Sequence, residues 1–407
     1  MMLKETLRAV VKSQREELKL YDPGVEREDV AGIVHETPFA LVLSGVRRCG
    51  KSTLMRQLMS RTSGYYYFNF EDPRAVDFEV SDYRKLDEVF KEEYGSQIYY
   101  FFDEIQNVDR WELFVRSTLD RKKHVTLTGS NASLLSRELG TRLTGRHLRH
   151  ELFPFTYKEF LKLKNLEAGA KSFHEYLLKG GFPEYLKIGR TEILQELLND
   201  IVVRDIAVRH NIRNVKTLKE MVVYLLTNAG KSYTYNSLKK TFDMGSTNSA
   251  ISYVSYFEDS YLLFTVSKYD PSLKRQIVNP KKIYSIDNGM TRANTASLTE
   301  DMGRMLENAV YISLRRKHKD IYYFQGRNEC DFLVREGGKV AQALQACYSL
   351  DEDNKDREIN GIREAMEKYG LKRGRIITYD QEDELAVDGK TIKVTPAWKW
   401  VMGEKKS

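Results

Sequence analysis

Eight consecutive residues have the spacing of a phosphate cradle. Gly45-Val46-Arg47-Arg48-Cys49-Gly50-Lys51-Ser52 fits G-x-x-x-x-G-K-[ST], between an apolar run and a helical pattern. Each part has a chemical reason. Successive backbone N–H groups wrap an anionic oxygen, and the helix behind the loop adds the positive end of its dipole. Gly45 and Gly50 allow a backbone path that side chains would block. Lys51 is expected at the β- and γ-phosphates, Ser52 on Mg²⁺, and Thr53 near the α-phosphate.

A second constellation lies downstream. Ile98-Tyr-Tyr-Phe-Phe102 is an apolar strand ending in Asp103-Glu104, so two acids reach the edge of a sheet where ligands bind. Asp103 is expected to hold Mg²⁺, and Glu104 to orient or deprotonate an attacking water. The pair suits hydrolysis better than transfer to a metabolite. A guanine-reading N-K-x-D is absent, since Asn354-Lys-Asp-Arg357 breaks at its fourth position. ATP with Mg²⁺ is therefore the expected cofactor pair. After the next strand, His124–Thr128, either Ser130 or Asn131 could bond the γ-phosphate or the water, while Gly-Ser-Asn also reads as a plain turn. Arg146 could neutralise charge on the transferring phosphoryl group, in cis or across a subunit contact, or belong to a solvated basic turn.

These residues need strands and helices to carry them. Phe39–Leu43, Tyr65–Phe70, Ile98–Phe102 and His124–Thr128 read as buried strands separated by helical patterns, the texture of an α/β domain with a parallel sheet covered on both faces. Met1 to Lys19 reads as a helix without the apolar core of a secretory signal. From about Phe155 helices dominate, and from about Glu300 strands alternate with turns. The 407 residues exceed one compact core, and 41% hydrophobic content with 8 Pro argues against disorder. Lys+Arg 65 against Asp+Glu 58 gives +7, which permits a nucleic-acid partner without demanding one. Cys49, Cys330 and Cys347 form no disulfide scaffold and no zinc spacing. With no long apolar stretch, a cytoplasmic protein with no membrane partner is expected.

With these residues in hand, the chain resembles the prokaryotic AAA-type ATPases that carry a DUF4143 C-terminal region. The resemblance rests on Gly45–Ser52, Asp103-Glu104-Ile105-Gln106 with Trp111, Thr128-Gly-Ser-Asn131 and Leu143-Thr-Gly-Arg146. It continues through Leu152–Phe160, Gly180-Gly-Phe-Pro183, Arg204-Asp205, Asn279–Tyr284, Ser285–Gly289 and Glu329-Cys-Asp331-Phe, in order along nearly the whole chain. It implies an AAA-type P-loop ATPase domain with its N-terminal helix (1–155) and a helical lid or linker (156–212). A winged-helix domain (213–296) and a restriction-endonuclease-like α/β domain (297–407) follow.

Three helical patterns, Val215–Ala229, Tyr235–Thr241 and Asn248–Asp259, fit a helix-turn-helix core, with Ser246-Thr247 able to cap the third. Thr247, Asn248, Ser249 and Ser252 could face a DNA major groove while Lys268, Lys274, Arg275, Lys281 and Lys282 of a wing meet phosphate. The third helix is poor in Arg and Lys, and winged helices also bind proteins. In the nuclease-like region the resemblance puts metal ligands at Glu307, Asp331 and Gln345, with Cys347 where a catalytic Lys is expected. Loss of one carboxylate and of the Lys makes this a degenerate site, unless a Lys elsewhere, such as Lys339, substitutes. The expected function is an ATPase coupling nucleotide state to double-stranded DNA. The alternatives are a nucleotide-gated switch for a protein partner and an active Mg²⁺-dependent nuclease. The sequence assigns no oligomeric state.

Overall fold

The structure, a computed structural model, describes residues 1–129, 143, 145–295 and 301–403. The chain divides into two compact units, Met1–Phe153 and Pro154–Ser407.

In the first unit, β1 (Ala40–Gly45), β2 (Tyr65–Asn69), β3 (Tyr99–Asp103), β4 (His124–Thr128) and β5 (His147–Leu152) form one sheet in the order β2-β3-β4-β1-β5. Every pairing in it is parallel. Helices α2 (Lys51–Met59), α3 (Tyr83–Tyr94) and α4 (Trp111–Asp120) make the first three crossovers. Parallel strands present their C-terminal ends along one edge, so Gly45, Asp103 and Thr128 arrive there together. Aromatic side chains fill one face of the sheet: Tyr66 stacks on Phe90, and Phe68, Phe70 and Phe78 pack together. Helix α1 (Lys4–Leu20) buries Leu7, Val10 and Val11 in that core. Lys4, Arg8 and Lys12 meet Glu88, Glu92 and Glu93 of α3 along its rim. Exposed pairs of that kind add little, so the apolar stripe holds α1 in place.

Strand β5 has no counterpart in the sequence reading. His-Leu-Arg-His-Glu-Leu is too polar to read as a core strand, and it forms at the sheet edge with Leu148 and Arg149 exposed.

The second unit is built on a mixed nine-stranded sheet, order β13-β14-β12-β11-β10-β9-β7-β8-β6. Its strands are β6 (Ser232–Tyr233), β7 (Leu263–Lys268), β8 (Lys281–Ser285), β9 (Ile321–Gln325), β10 (Glu329–Glu336), β11 (Lys339–Ala346), β12 (Arg373–Thr378), β13 (Asp383–Val387) and β14 (Lys390–Pro396). Helices Val215–Thr227, Tyr235–Thr241 and Thr247–Asp259 lie close to the expected spans, and Ser246 Oγ caps the third by accepting from Ser249 N at 3.1 Å. The two strands read as a wing, β7 and β8, pair antiparallel, but a short helix, Leu273–Val278, connects them. Strand β7 also pairs with β9, so one sheet runs through the segments expected as winged helix and as nuclease-like fold. Asp287 ties helices within this unit, accepting from Gly181 N at 2.6 Å and Met290 N at 3.0 Å. Gly180 lies against this carboxylate at φ +69°, where a Cβ would collide with it.

Candidate nucleotide site

The phosphate loop leaves β1 at Gly45 (φ +151°), turns through Arg48 (φ +61°) and enters α2 after Gly50 (φ +100°). A Cβ on Gly45 would overlap the Leu152 carbonyl oxygen, so only glycine lets the loop pass this close to β5. Val46 and Cys49 are buried beneath the loop, Arg47 is half-buried, and Arg48 is exposed. Lys51 is only 5% exposed, and its Nζ donates to the carbonyls of Gly45 and Val46 at 3.0 Å each. The ammonium thus sits over the loop on weak neutral acceptors, which an anionic phosphate oxygen would replace favourably.

Ser52 Oγ lies 3.3 Å from Asp103 Oδ1, so the first turn of α2 and the end of β3 converge. Burial holds the Asp103 carboxyl above the usual carboxylate range, and the Glu104 charge adds to this. The Thr128 and Ser52 hydroxyls and the Lys51 ammonium oppose it. A buried carboxylate beside a serine hydroxyl, with a second acid adjacent, is an oxygen donor set that suits Mg²⁺. Tyr67 on β2 also hydrogen-bonds Asp103, and its phenol is raised by burial first and by that charge second. The residues present therefore fit a Mg²⁺-nucleotide: Lys51 and the loop amides for phosphate, Ser52 and Asp103 for the cation.

Glu104 takes a left-handed backbone (φ +51°). Its N–H donates to Thr128 Oγ1 at 3.1 Å, and the same hydroxyl donates to Asp103 Oδ1. Thr128 thereby braces both acids. Gln106 Nε2 donates to Glu104 Oε2 at 2.5 Å, while Gln106 Oε1 is buried without a partner.

Thr128 and Gln106 were legible only as members of motifs, with no role attached. Arg27 carried no sequence signal. It is 1% exposed, and its guanidinium reaches the loop carbonyl of Cys49 at 2.7 Å and the Phe153 carbonyl at 2.8 Å. Ser130 and Asn131 lie outside the described residues. Arg146 stands at the start of β5, paired with Asp120 Oδ1 at 2.5 Å. The register Ala40↔His147 through Gly45↔Leu152 puts it at the far end of the sheet. At about 3.3 Å per residue that is about 20 Å from the loop, so Arg146 does not join this site within one chain.

A second cluster forms in the other unit. Glu307 and Asp331 do come together, as expected, but a lysine fills the space between them. Lys282 Nζ, 3% exposed, lies 3.3 Å from Glu307, 2.9 Å from Asp331 and 2.5 Å from Glu329. Tyr284 Oη also donates to Glu307 at 2.7 Å. Burial and then the Asp331 charge push the Glu307 carboxyl well above its usual range. Gln345 is turned away from a ligand role: its Oε1 accepts from Asp331 N at 3.0 Å and its Nε2 donates to Glu358 at 2.6 Å. Among the described residues no group of three or more His, Cys, Asp or Glu is arranged to hold a metal ion. Lys339, the substitute considered from the sequence, starts β11 with its side chain exposed.

The expected DNA-facing groups are divided. Asn248 is exposed, but Thr247 donates to Asn236 at 2.9 Å and Ser249 serves the helix cap. Lys274 and Arg275 face solvent, whereas Lys281 bonds Ser267 and the Gln276 carbonyl, and Lys282 is committed to its carboxylates. Of the five wing cations, Lys282 is therefore buried and Lys281, half-buried, is engaged by its own neighbours.

Residues 37–161 match the family model of an AAA domain, and residues 170–300 match a domain of unknown function, DUF8612. The uncharacterized protein MJ1544 of Methanocaldococcus jannaschii is 34% identical over 391 residues, covering 88% of this chain and 87% of its own. The chain belongs to the family of this archaeal protein. An uncharacterized protein of Haemophilus influenzae is 27% identical over 387 residues, covering 89% of this chain and 94% of its own. In this family member the AAA match contains the loop Gly45–Ser52 and both acids, Asp103 and Glu104. The fold is accordingly a P-loop AAA-type α/β domain, followed by a second unit in which the matched model is DUF8612 and a DUF4143 match is not shown. Among solved structures, AMPPCP-bound DnaA from Aquifex aeolicus is similar at 14% identity over 64% of this chain and 90% of its own. Its TM-score of 0.27 is too low to carry an argument. No helix among the described residues is long and apolar enough to cross a membrane.

Proposed function

We propose that the chain is a cytoplasmic Mg²⁺-dependent ATPase in which the nucleotide state governs binding of double-stranded DNA by the second unit. The observation that carries the ATPase reading is the convergence of Ser52 Oγ and Asp103 Oδ1, 3.3 Å apart, beside a lysine covering its own phosphate loop. Mg²⁺ would supply charge neutralisation between phosphate oxygens. Lys51 binds the β- and γ-phosphate oxygens, and the loop amides orient the chain of phosphates. Glu104, held by Gln106 and braced through its N–H by Thr128, takes the proton of the attacking water. Ser130 or Asn131 senses the γ-phosphate, and Arg146 acts as a finger only toward the site of a neighbouring copy.

For the second unit we keep the finer division into lid (156–212), winged helix (213–296) and a degenerate nuclease-like domain of DUF4143 type (297–407). The Lys282 ammonium between Glu307 and Asp331 supports a non-cleaving reading. One observation favours a protein partner in place of DNA: Lys281 is tied to its neighbours and Lys282 is buried among carboxylates, and the third helix, Thr247–Asp259, contains no Arg or Lys.

Phosphate release and ATP binding by wild type, Lys51→Ala and Glu104→Gln, with and without duplex DNA, test this. ATPase activity lost in both variants, with binding lost only in Lys51→Ala, is expected. Unchanged ATP affinity in Lys51→Ala refutes the site. Stimulation by DNA that fades with added salt supports DNA as partner, since released counterions make that contact salt-dependent. Turnover indifferent to DNA moves the reading to the protein partner.

A further inference from the structure

The floor of the phosphate loop is fastened to the segment where the first unit ends. Three contacts do this. Gly45 lies against the Leu152 carbonyl with no room for a Cβ. Cys49 Sγ lies 3.5 Å from the Leu152 carbonyl oxygen. Arg27 bridges the Cys49 and Phe153 carbonyls with two nitrogens of one guanidinium, at 2.7 and 2.8 Å. Phe153 is the last residue of the unit, and the chain passes on to Pro154.

Arg27 is itself fixed from behind. Its backbone N–H donates to Gln57 Oε1 at 3.0 Å, and Gln57 Nε2 holds the carbonyls of Pro23 and Val25 at 3.0 Å each. Gln57 sits on α2, the helix that begins with Lys51. Arg27 is thus anchored through its backbone to the helix behind the phosphates, and through its guanidinium to the loop around them and to the exit segment. A planar fork suits this role, because its donors have fixed directions and a movement of one acceptor reaches the other through a rigid group. Its charge also lies directly under the loop: a Cβ on Gly50 would stand 3.3 Å from Nη1.

We propose that Arg27 is the positioning residue that couples the phosphate loop to the exit segment at Phe153, so that ATP binding is transmitted to the start of the second unit chiefly through this side chain, with the Gly45 and Cys49 contacts to Leu152 holding the loop in place. The proposal rests on the nucleotide site described above. When Lys51 leaves the Gly45 and Val46 carbonyls for phosphate, the loop resettles. The Cys49 carbonyl carries that change to Arg27, and Arg27 carries it to the Phe153 carbonyl.

The test compares full-length wild type, Arg27→Lys and Arg27→Met. ATP affinity is measured with Mg²⁺. Amide hydrogen exchange is then followed over 45–52 and 150–156, without nucleotide and at saturating non-hydrolysable ATP analogue. In wild type, exchange in both segments is expected to change with nucleotide. Arg27→Met is expected to bind about tenfold more weakly because, of its two lost charged hydrogen bonds, the one to the Cys49 carbonyl holds the loop. At saturation it is expected to keep the response over 45–52 and lose it over 150–156. Arg27→Lys, with the charge but not the fork, should recover most of the affinity without recovering the distant response, and it carries the comparison if Arg27→Met does not fold. A full response over 150–156 in saturated Arg27→Met or Arg27→Lys overturns the proposal, as does a wild-type protein that binds ATP with no change there. A wild type that binds no ATP refutes the nucleotide site instead, which keeps the two failures apart.

Discussion

Replacing Lys282 by Met removes the cation from the cluster of Glu307, Glu329 and Asp331 and leaves a side chain of similar length. Lys282 is 3% exposed, with Asp331 at 8%, Glu307 at 14% and Glu329 at 37%. Glu329 is screened by water, so the cost falls on Asp331 and Glu307. Removing one partner from a buried ion pair costs about 3–5 kcal/mol, because the remaining charge stays desolvated. The protein can recover part of this by taking up a proton. Glu307 is already raised above its usual value of 4.5 by burial and by Asp331, with Lys282 opposing the rise. Without the ammonium it rises further. A carboxyl whose folded value is raised binds more protons folded than unfolded, so stability falls as pH increases from 4.5 through the folded value. Each bound proton is worth about 1.4 kcal/mol per pH unit in that window. The loss in Lys282→Met should therefore be about 3–5 kcal/mol at pH 8 and smaller by about 1–3 kcal/mol at pH 6. Urea unfolding of the second unit reads this through Trp398 and Trp400, with Trp111 replaced by Phe to silence the first unit. A variant within about 1 kcal/mol of wild type at both pH values, or one losing more at pH 6, would refute the reasoning.

Gly45→Ala forces a Cβ into the Leu152 carbonyl, so ATP binding in calorimetry should disappear along with a drop in melting temperature. Retained affinity would mean that the loop passes β5 with room to spare. Gln106→Ala removes one hold on the Glu104 carboxylate, and the ATPase kcat should fall about tenfold with KM little changed, since holding a proton acceptor acts on the chemical step. An altered KM at constant kcat would assign Gln106 to nucleotide binding. Burial pushes Asp287 up to about 6, against backbone donors that favour its charged form. Stability of the second unit should thus decline between pH 4 and 6, by up to about 3 kcal/mol from this group. Asp287→Asn should flatten that slope in unfolding titrations, and an unchanged slope would clear Asp287 of the effect.

Much of the first unit was legible because its signals are contiguous. Buried parallel strands read as short apolar runs, and β4 matches its expected span. The loop Gly45–Ser52 and the pair Asp103-Glu104 are each one local stretch whose backbone path and residue types suffice to announce the chemistry. Strand β5 escaped because an edge strand needs no continuous apolar face. The wing lysines misled for another reason: a lysine's exposure depends on what lies across the sheet, and Lys282 meets Asp331 only after β7 and β9 bring β8 near β10.

The sequence by itself announced the groups of one chemistry in the first unit: a phosphate-loop pattern after one strand and two successive acids at the end of another. Tertiary structure decided which distant residues meet in each unit. It brought Arg27 under the loop, Thr128 against both acids and Lys282 between two carboxylates, and it carried Arg146 to the opposite end of the sheet. The reason is geometric. A motif's backbone path is fixed within a few residues, whereas the neighbours of a side chain across a sheet depend on strand order and register, which no single stretch of sequence contains.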